Sequence, residues 1–152
     1  MIRLALVSDS HGAAGFLEQA VPRLRDCQAL CHMGDTARDG VRLAERLGIP
    51  CHAVAGNCDV FPIASRELIL TVEGFRILLT HGDRYGVKRS LSRLSFRARA
   101  AEADIVLYGH THIPSVDRDG PILFINPGAL MSGRYALLEF RPNGPVPVIK
   151  IL

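Results

Sequence analysis

The first third of the chain alternates short apolar runs with amphipathic stretches, and this alternation restricts the fold more than any other feature. Ile2 to Ser8, Ala29 to Met33 and Cys51 to Ala55 are apolar runs of strand length. Between the first two, Phe16, Leu17, Ala20 and Leu24 are spaced for one buried face of a helix from about Ala13 to Arg25. Between the second and third, Val41, Ala44 and Leu47 mark a helix from about Arg38 to Leu47, which Gly48 stops. Three strands separated by helices predict right-handed βαβ crossovers and a parallel sheet.

The pattern then changes. Glu67 to Val72 and Phe75 to Leu79 flank Glu73-Gly74, a hairpin signal. A helix is expected from about Ser92 to Ala103, with Leu91, Leu94, Ala98 and Ala101 facing inward, followed by a buried strand from Asp104 to Tyr108. The remainder reads as strands and turns: Val116 and Ile122 to Ile125 around Asp119-Gly120, then Tyr135 to Phe140 and Val146 to Ile151 around Pro142-Asn143-Gly144. Such a mixture predicts a mixed sheet or two packed sheets with helices outside, rather than a pure doubly wound fold. The 152 residues contain no linker, repeat or low-complexity segment, so residues 1–152 are expected to form one domain.

Composition serves mainly to exclude. With 48% hydrophobic and 22% charged residues, neither disorder nor a fibrous class is credible. Apolar runs such as Ile69 to Val72 are too short to span a bilayer, and the N-terminus reads at once as a strand rather than a signal peptide. A cytoplasmic protein without a membrane partner is expected. Cys27, Cys31, Cys51 and Cys58 form no CxxC pair and are expected to be free thiols. The net charge of +3 suits an anionic substrate without indicating bulk nucleic-acid binding.

Chemistry is concentrated where the strands end. Asp9 and His11 follow the first, Asp35 the second and Asn57 the third; His81 follows the second hairpin strand, and His110 and His112 follow the strand ending at Tyr108. In α/β sheets, loops at the C-terminal strand edge converge on ligand sites. If the backbone there is extended, the Asp-x-His and His-x-His pairs each point to one side and can each grip one site. Carboxylate, imidazole and amide donors suit Mn²⁺, Fe, Zn²⁺ or, less well, Mg²⁺. Seven donors are too many for one ordinary ion and match two ions sharing a carboxylate. A lone Asp after a strand is more often a helix cap, a role open to Asp9, Asp35 and Asp59 alike. Capping does not explain the whole set. His32 and His52 are read as packed or surface residues.

In order, Asp9-Ser10-His11, Gly34-Asp35, Gly56-Asn57-Cys58-Asp59, His81-Gly82 and Gly109-His110-Thr111-His112 resemble the signature of the calcineurin-like metallophosphoesterases. With Asn126-Pro127-Gly128, the chain is similar to their small, single-domain prokaryotic phosphodiesterase branch, which the retromer scaffold subunit also resembles. The resemblance implies an α/β fold, a four-layer α/β/β/α sandwich of two mixed sheets flanked by helices. It implies a dinuclear-metal phosphodiesterase or phosphatase, in which a hydroxide bridging two divalent ions attacks phosphorus in line. Manganese is the first choice of metal, with iron, zinc, nickel or magnesium as alternatives. Asp9, His11, Asp35 and His112 would hold one ion, and Asp35, Asn57, His81 and His110 the other. Asn57 and His81 would lie nearest the substrate phosphate.

The chain departs from the superfamily at two positions. Cys58 stands where larger members carry a histidine able to protonate a leaving group, and Asp83 stands where the branch often has His. Cys58 and Arg84 are candidate substrate contacts, with Lys88 also near enough to attract phosphate. Arg89, Arg93 and Arg97, four apart, are read as a solvated helix face. The expected partner is a small phosphoester, with nucleic acid only as substrate and self-association open. A scaffold of the same fold with weak or lost catalysis is the competing reading.

Overall fold

β1 (Ile2–Val7) explains why the strand signals are unbroken apolar runs. Leu4 and Leu6 point into a core between two sheets, whereas Ala5 and Val7 point into a core beneath two helices. A strand buried on both faces has no polar side to alternate with. The computed structural model describes residues 1–60 and 64–152. α1 (Ala14–Arg23), β2 (Ala29–His32), α2 (Ala37–Leu47) and β3 (Cys51–Ala53) complete the first third. β1, β2 and β3 are parallel neighbours, Leu4 pairing with Ala29 and Leu30 with Cys51.

β4 (Glu67–Val72) and β5 (Phe75–Thr80) form the expected hairpin, closing at Val72 and Phe75. Glu73 and Gly74 both take positive φ, 51° and 83°, matching the twist of the strands they join. α3 (Ser92–Ala100) leads into β6 (Ile105–Leu107), followed by β7 (Ser115–Asp119), β8 (Ile122–Asn126), β9 (Arg134–Arg141) and β10 (Gly144–Ile151). α3 stops short of the expected Ala103 because Glu102 enters the left-handed region, at φ 55°. Because α3 begins at Ser92, Arg89 precedes it and does not share a helix face with Arg93 and Arg97. Arg97 is also tied to Glu67 by a 3.0 Å ion pair rather than left in solvent. Two 3₁₀ turns, Asp83–Tyr85 and Leu130–Ser132, carry no periodic signal in the sequence.

One sheet runs β10-β9-β1-β2-β3 and the other β4-β5-β6-β8-β7. Both are mixed: β5, β6 and β8 are parallel, while β4, β7, β9 and β10 pair antiparallel with their neighbours. Leu4, Leu6, Met33, Ile77, Leu79, Leu107 and Ile125 fill the space between the sheets. Ala20, Leu24, Leu43 and Ala44 seat α1 and α2 on the first sheet, and Leu94 and Ala98 seat α3 on the second. Each fully buried Leu or Ile contributes roughly 1.5–3 kcal/mol by leaving water. The result is a four-layer α/β/β/α sandwich. Among the described residues, no helix is long and apolar enough to cross a membrane. All four cysteines are free, with Cys27 and Cys31 buried, Cys51 half-buried and Cys58 exposed.

Candidate metal centre

Parallel strands start their following loops at the same edge, and bonds between the two sheets bring these edges together. The Asp9 N–H donates to the Gly34 carbonyl at 2.9 Å, joining the loops after β1 and β2. The Cys58 N–H donates to Asp35 Oδ1 at 2.8 Å, bringing in the loop after β3. From the second sheet, His81 Nδ1 donates to the Met33 carbonyl at 2.7 Å and the His110 N–H donates to Asp9 Oδ2 at 3.1 Å. Nδ1 keeps its proton on the Met33 carbonyl in either charge state, so Nε2 faces the other donors: it donates to Asp35 when His81 is protonated and presents a lone pair to a cation when His81 is neutral.

The donors fall into two groups. In one, atoms of Asp9, His11 and His112 lie within 4.8 Å of one another; in the other, atoms of Asp35, His81 and His110 do so. His81 Nε2 is 3.3 Å from Asp35 Oδ2 and 3.2 Å from His110 Nδ1, and His11 Nε2 is 3.7 Å from Asp35 Oδ2. Asp35 thus faces both groups. Asn57 sits exposed at the rim, its amide hydrogen-bonded to Cys58 Sγ at 3.6 Å. Asp9, Asp35 and His81 are buried, whereas His11 and His112 are exposed, so the cluster opens to solvent on one side.

Asp9 tests whether these residues fit a cation. Its Oδ2 accepts bonds from the Ser8 hydroxyl at 2.6 Å and from the His110 N–H. Its Oδ1 is buried and, among the described residues, has no hydrogen-bond partner. Yet it lies 3.1 Å from His112 Nε2 and 3.9 Å from both His11 Nε2 and His81 Nε2. An unpaired buried carboxylate oxygen costs several kcal/mol, and a divalent ion shared with these imidazoles offsets that cost. The donor set fits.

Charge and burial compete here. Burial alone would raise the Asp35 carboxyl, but the hydrogen bonds from His81 and the Cys58 N–H outweigh it and hold its pKa well below the carboxylate range. Burial would likewise lower His81, but its bond to Asp35 and the charges of Asp9 and Asp35 leave it raised. His110 is lowered, first by burial, then by the charge of His81 and of Lys88. Burial, then the neighbouring Asp35 carboxylate, raises the Cys58 thiol.

The donors do not work through extended backbone, as the spacing suggested. Asp9, His11, Asp35, His110 and His112 have φ of 51°, 47°, 63°, 69° and 65°. Each such residue stores about 1 kcal/mol or more and persists only where its surroundings hold it. His110 and His112 do not grip one site either. His110 turns to His81, and His112 to Asp9.

Other residues enforce this geometry. Asp59, whose cap role was open from sequence, accepts four backbone N–H groups: Asp35, Thr36, Ala37 and Gly56, at 2.8 to 3.2 Å. It caps α2 across the chain and ties the Asp35 loop to the Asn57 loop. His32 is fully buried: its Nδ1 accepts from the Gly34 N–H at 3.1 Å, so its protonated Nε2 donates to Ser10 Oγ at 2.9 Å. Burial pushes its pKa down to about 4, keeping it neutral. Asn126 explains the Asn-Pro-Gly motif. Its amide donates to the Gly109 carbonyl and to Thr111 Oγ1 and accepts from the Gly128 N–H, bracing the loop between His110 and His112. Asp39 accepts the Gly12 N–H at 2.8 Å behind His11. Asp59 and His32 stand two and three positions from a donor, whereas Asp39 and Asn126 lie farther away, and in neither case can a side chain's target be read from spacing.

Of the substrate candidates, Cys58 stands beside Asp35. Arg84 is exposed in the 3₁₀ turn and makes no ion pair with a described residue. Lys88 and Asp83 act electrostatically on His110, with opposite signs.

Known proteins resemble this chain. Residues 2–140 match the family model described as the calcineurin-like phosphoesterase superfamily domain. A probable metallophosphoesterase of Bacillus subtilis, YsnB, is 32% identical over 91% of this chain and 80% of its own length. Phosphodiesterase YfcE of Escherichia coli is 31% identical over 86% of this chain and 80% of its own length. Vps29 from Entamoeba histolytica superposes with a TM-score of 0.80, covering 99% of each chain, but at 18% identity that likeness concerns the fold alone. The family match over nearly the whole chain, together with the relatives named metallophosphoesterase and phosphodiesterase, shows that the chain belongs to the calcineurin-like phosphoesterase superfamily.

Proposed function

We propose that the protein is a phosphodiesterase acting through two divalent ions, with residues 1–152 as one catalytic domain. The observation that carries this reading is the buried, unpaired Asp9 Oδ1 among three imidazole nitrogens, beside an Asp35 that faces both donor groups. Asp9, His11, Asp35 and His112 would hold one ion, and Asp35, Asn57, His81 and His110 the other. Manganese is proposed first, since the donors are oxygen and imidazole and hard enough for it. Such a pair, when bound, would supply a nucleophilic water of lowered pKa for in-line attack and positive charge for the phosphoryl oxygens.

The chain's own residues set the rest. His81 is oriented by the Met33 carbonyl, and Asp35 is kept ionised by its bonds to His81 and the Cys58 N–H. No imidazole stands at Cys58 to protonate a leaving group, which favours diesters with good leaving groups over monoesters. A cavity of about 480 Å³ beside the His-Thr-His loop, lined by Val87, Lys88, Leu91, Thr111 and Ile113, offers apolar walls and a cation for the ester's organic part.

The test is hydrolysis of an aryl phosphodiester by metal-stripped protein with Mn²⁺ returned. Activity is expected to depend on the metal and to vanish in Asp35→Asn and His81→Ala. Undiminished hydrolysis in those variants, or without metal, overturns the reading. A protein that binds Mn²⁺, cleaves no phosphoester and holds a stable partner would instead be a scaffold, in keeping with its likeness to Vps29, a retromer subunit.

A further inference from the structure

Cys58 is exposed on the loop after β3, and its sulfur does not stand alone. One nitrogen of His11, one carboxylate oxygen of Asp35 and Cys58 Sγ all lie within 4.8 Å of one another. This trio differs from the two donor groups above, taking His11 from one and Asp35 from the other. Two donors held by a zinc ion at ~2.0–2.3 Å each are at most about 4.6 Å apart, and closer at tetrahedral angles. Rotation of Cys58 and His11, both exposed, closes that small difference without disturbing the core.

Sulfur changes the selectivity of the trio. Thiolate is a soft donor that selects zinc-like ions over manganese or magnesium. The other three thiols lie against the apolar cores, and among the described residues none belongs to a group of metal-capable donors. The open side of the cluster is the side of His11, His112 and Cys58, because Asp9, Asp35 and His81 are buried beneath them. An ion held by Cys58 therefore lies where a phosphoester must arrive, and competes with both donor groups for a ligand.

We propose that His11, Asp35 and Cys58 form an inhibitory site for a thiophilic divalent ion of the Zn²⁺ or Cd²⁺ class at the mouth of the metal centre. On binding, the thiol releases its proton to water as the sulfur–metal bond forms. No electrons change hands, and a chelator reverses the step.

Cd²⁺ is the probe, added to the whole, folded chain in the absence of thiol reductants. Thiolate-to-cadmium charge-transfer absorption is expected in the ultraviolet, rising to one thiolate per chain and absent from Cys58→Ser, with circular dichroism checking the fold of the variant. Absorption that persists in Cys58→Ser, or never develops in the unaltered chain at saturating Cd²⁺, overturns the proposal. The second arm rests on the phosphodiesterase reading. Zn²⁺ is titrated into Mn²⁺-loaded enzyme, with each protein scored against its own rate. Loss of groups that merely orient a ligand already costs about 10–100-fold in affinity, so removing a direct donor is expected to raise the half-inhibitory Zn²⁺ concentration about tenfold or more. Equal inhibition of both proteins overturns the inhibitory role. Charge-transfer absorption without hydrolysis under any metal supports the cadmium site while removing the phosphodiesterase reading.

Discussion

Asp59 offers no ligand atom to either donor group, yet its carboxylate receives four N–H groups from the loops that carry Asp35 and Asn57. An amide at this position has one acceptor oxygen, and its NH₂ would face two of those donors. Leaving two N–H groups unpaired costs roughly 2–4 kcal/mol, so Asp59→Asn is expected to lose that much stability in urea unfolding and to bind Mn²⁺ at least about tenfold more weakly. A loss below 1 kcal/mol with unchanged Mn²⁺ affinity would remove Asp59 from this role. His32 gives a pH signature. It titrates near 6.5 when unfolded and near 4 when folded, so between those values the unfolded chain binds a proton that the native state refuses. Its contribution is complete above pH 6.5 and is lost as pH falls toward 4, by about 3 kcal/mol in all. With metal chelated, the stability gap between the unaltered chain and His32→Gln should narrow by roughly 2–3 kcal/mol from pH 7 to 4.5. A gap independent of pH counts against it.

At the scale of elements, the loops rather than the strands carry the strain and the tight packing. A Cβ at Gly109 would collide with Ser8 Oγ and lie 2.6 Å from Asp9 Oδ2, so the loop after β6 can approach β1 only without a side chain. Gly109→Ala is expected to cost roughly 1–3 kcal/mol. It should also abolish Mn²⁺-dependent hydrolysis, because it displaces His110 and Asp9 together; an active variant of unchanged stability would show that the loop can relax. The strands and helices themselves were legible. β1, β2, α2 and the β4–β5 hairpin stand within a residue or two of their sequence signals, because periodicity and turn chemistry are encoded in neighbours. The early end of α3 was not legible, since no nearby glycine or proline announces the left-handed Glu102.

At the scale of the molecule, the two sheets meet at an edge that is paired electrostatically as well as apolar. With Asp9 Oδ1 unpaired and His81 close to His110, the centre is a source of instability until a cation occupies it. Each Mn²⁺ bound at about 100 times its Kd should therefore add about 2.7 kcal/mol, raising Tm over the chelated protein by roughly 5–11 °C per ion. Asp35→Asn should lose most of that shift. Equal melting with chelator and with Mn²⁺ would mean that the donor cluster binds no ion of consequence.

By itself, the sequence determined the order of strands and helices and singled out the candidate donor residues, because both are written in short stretches of chain. The resemblance implied how the donors divide, but only the tertiary structure shows what parts them, with His110 turned to His81 and its neighbour His112 to Asp9. It also decided which quiet residues brace them. These choices depend on contacts such as His81 with Met33 and His110 with Asp9, which span 48 and 101 positions. They overrule local backbone preference, forcing five donors into the left-handed region, and no pattern of neighbouring residues encodes that.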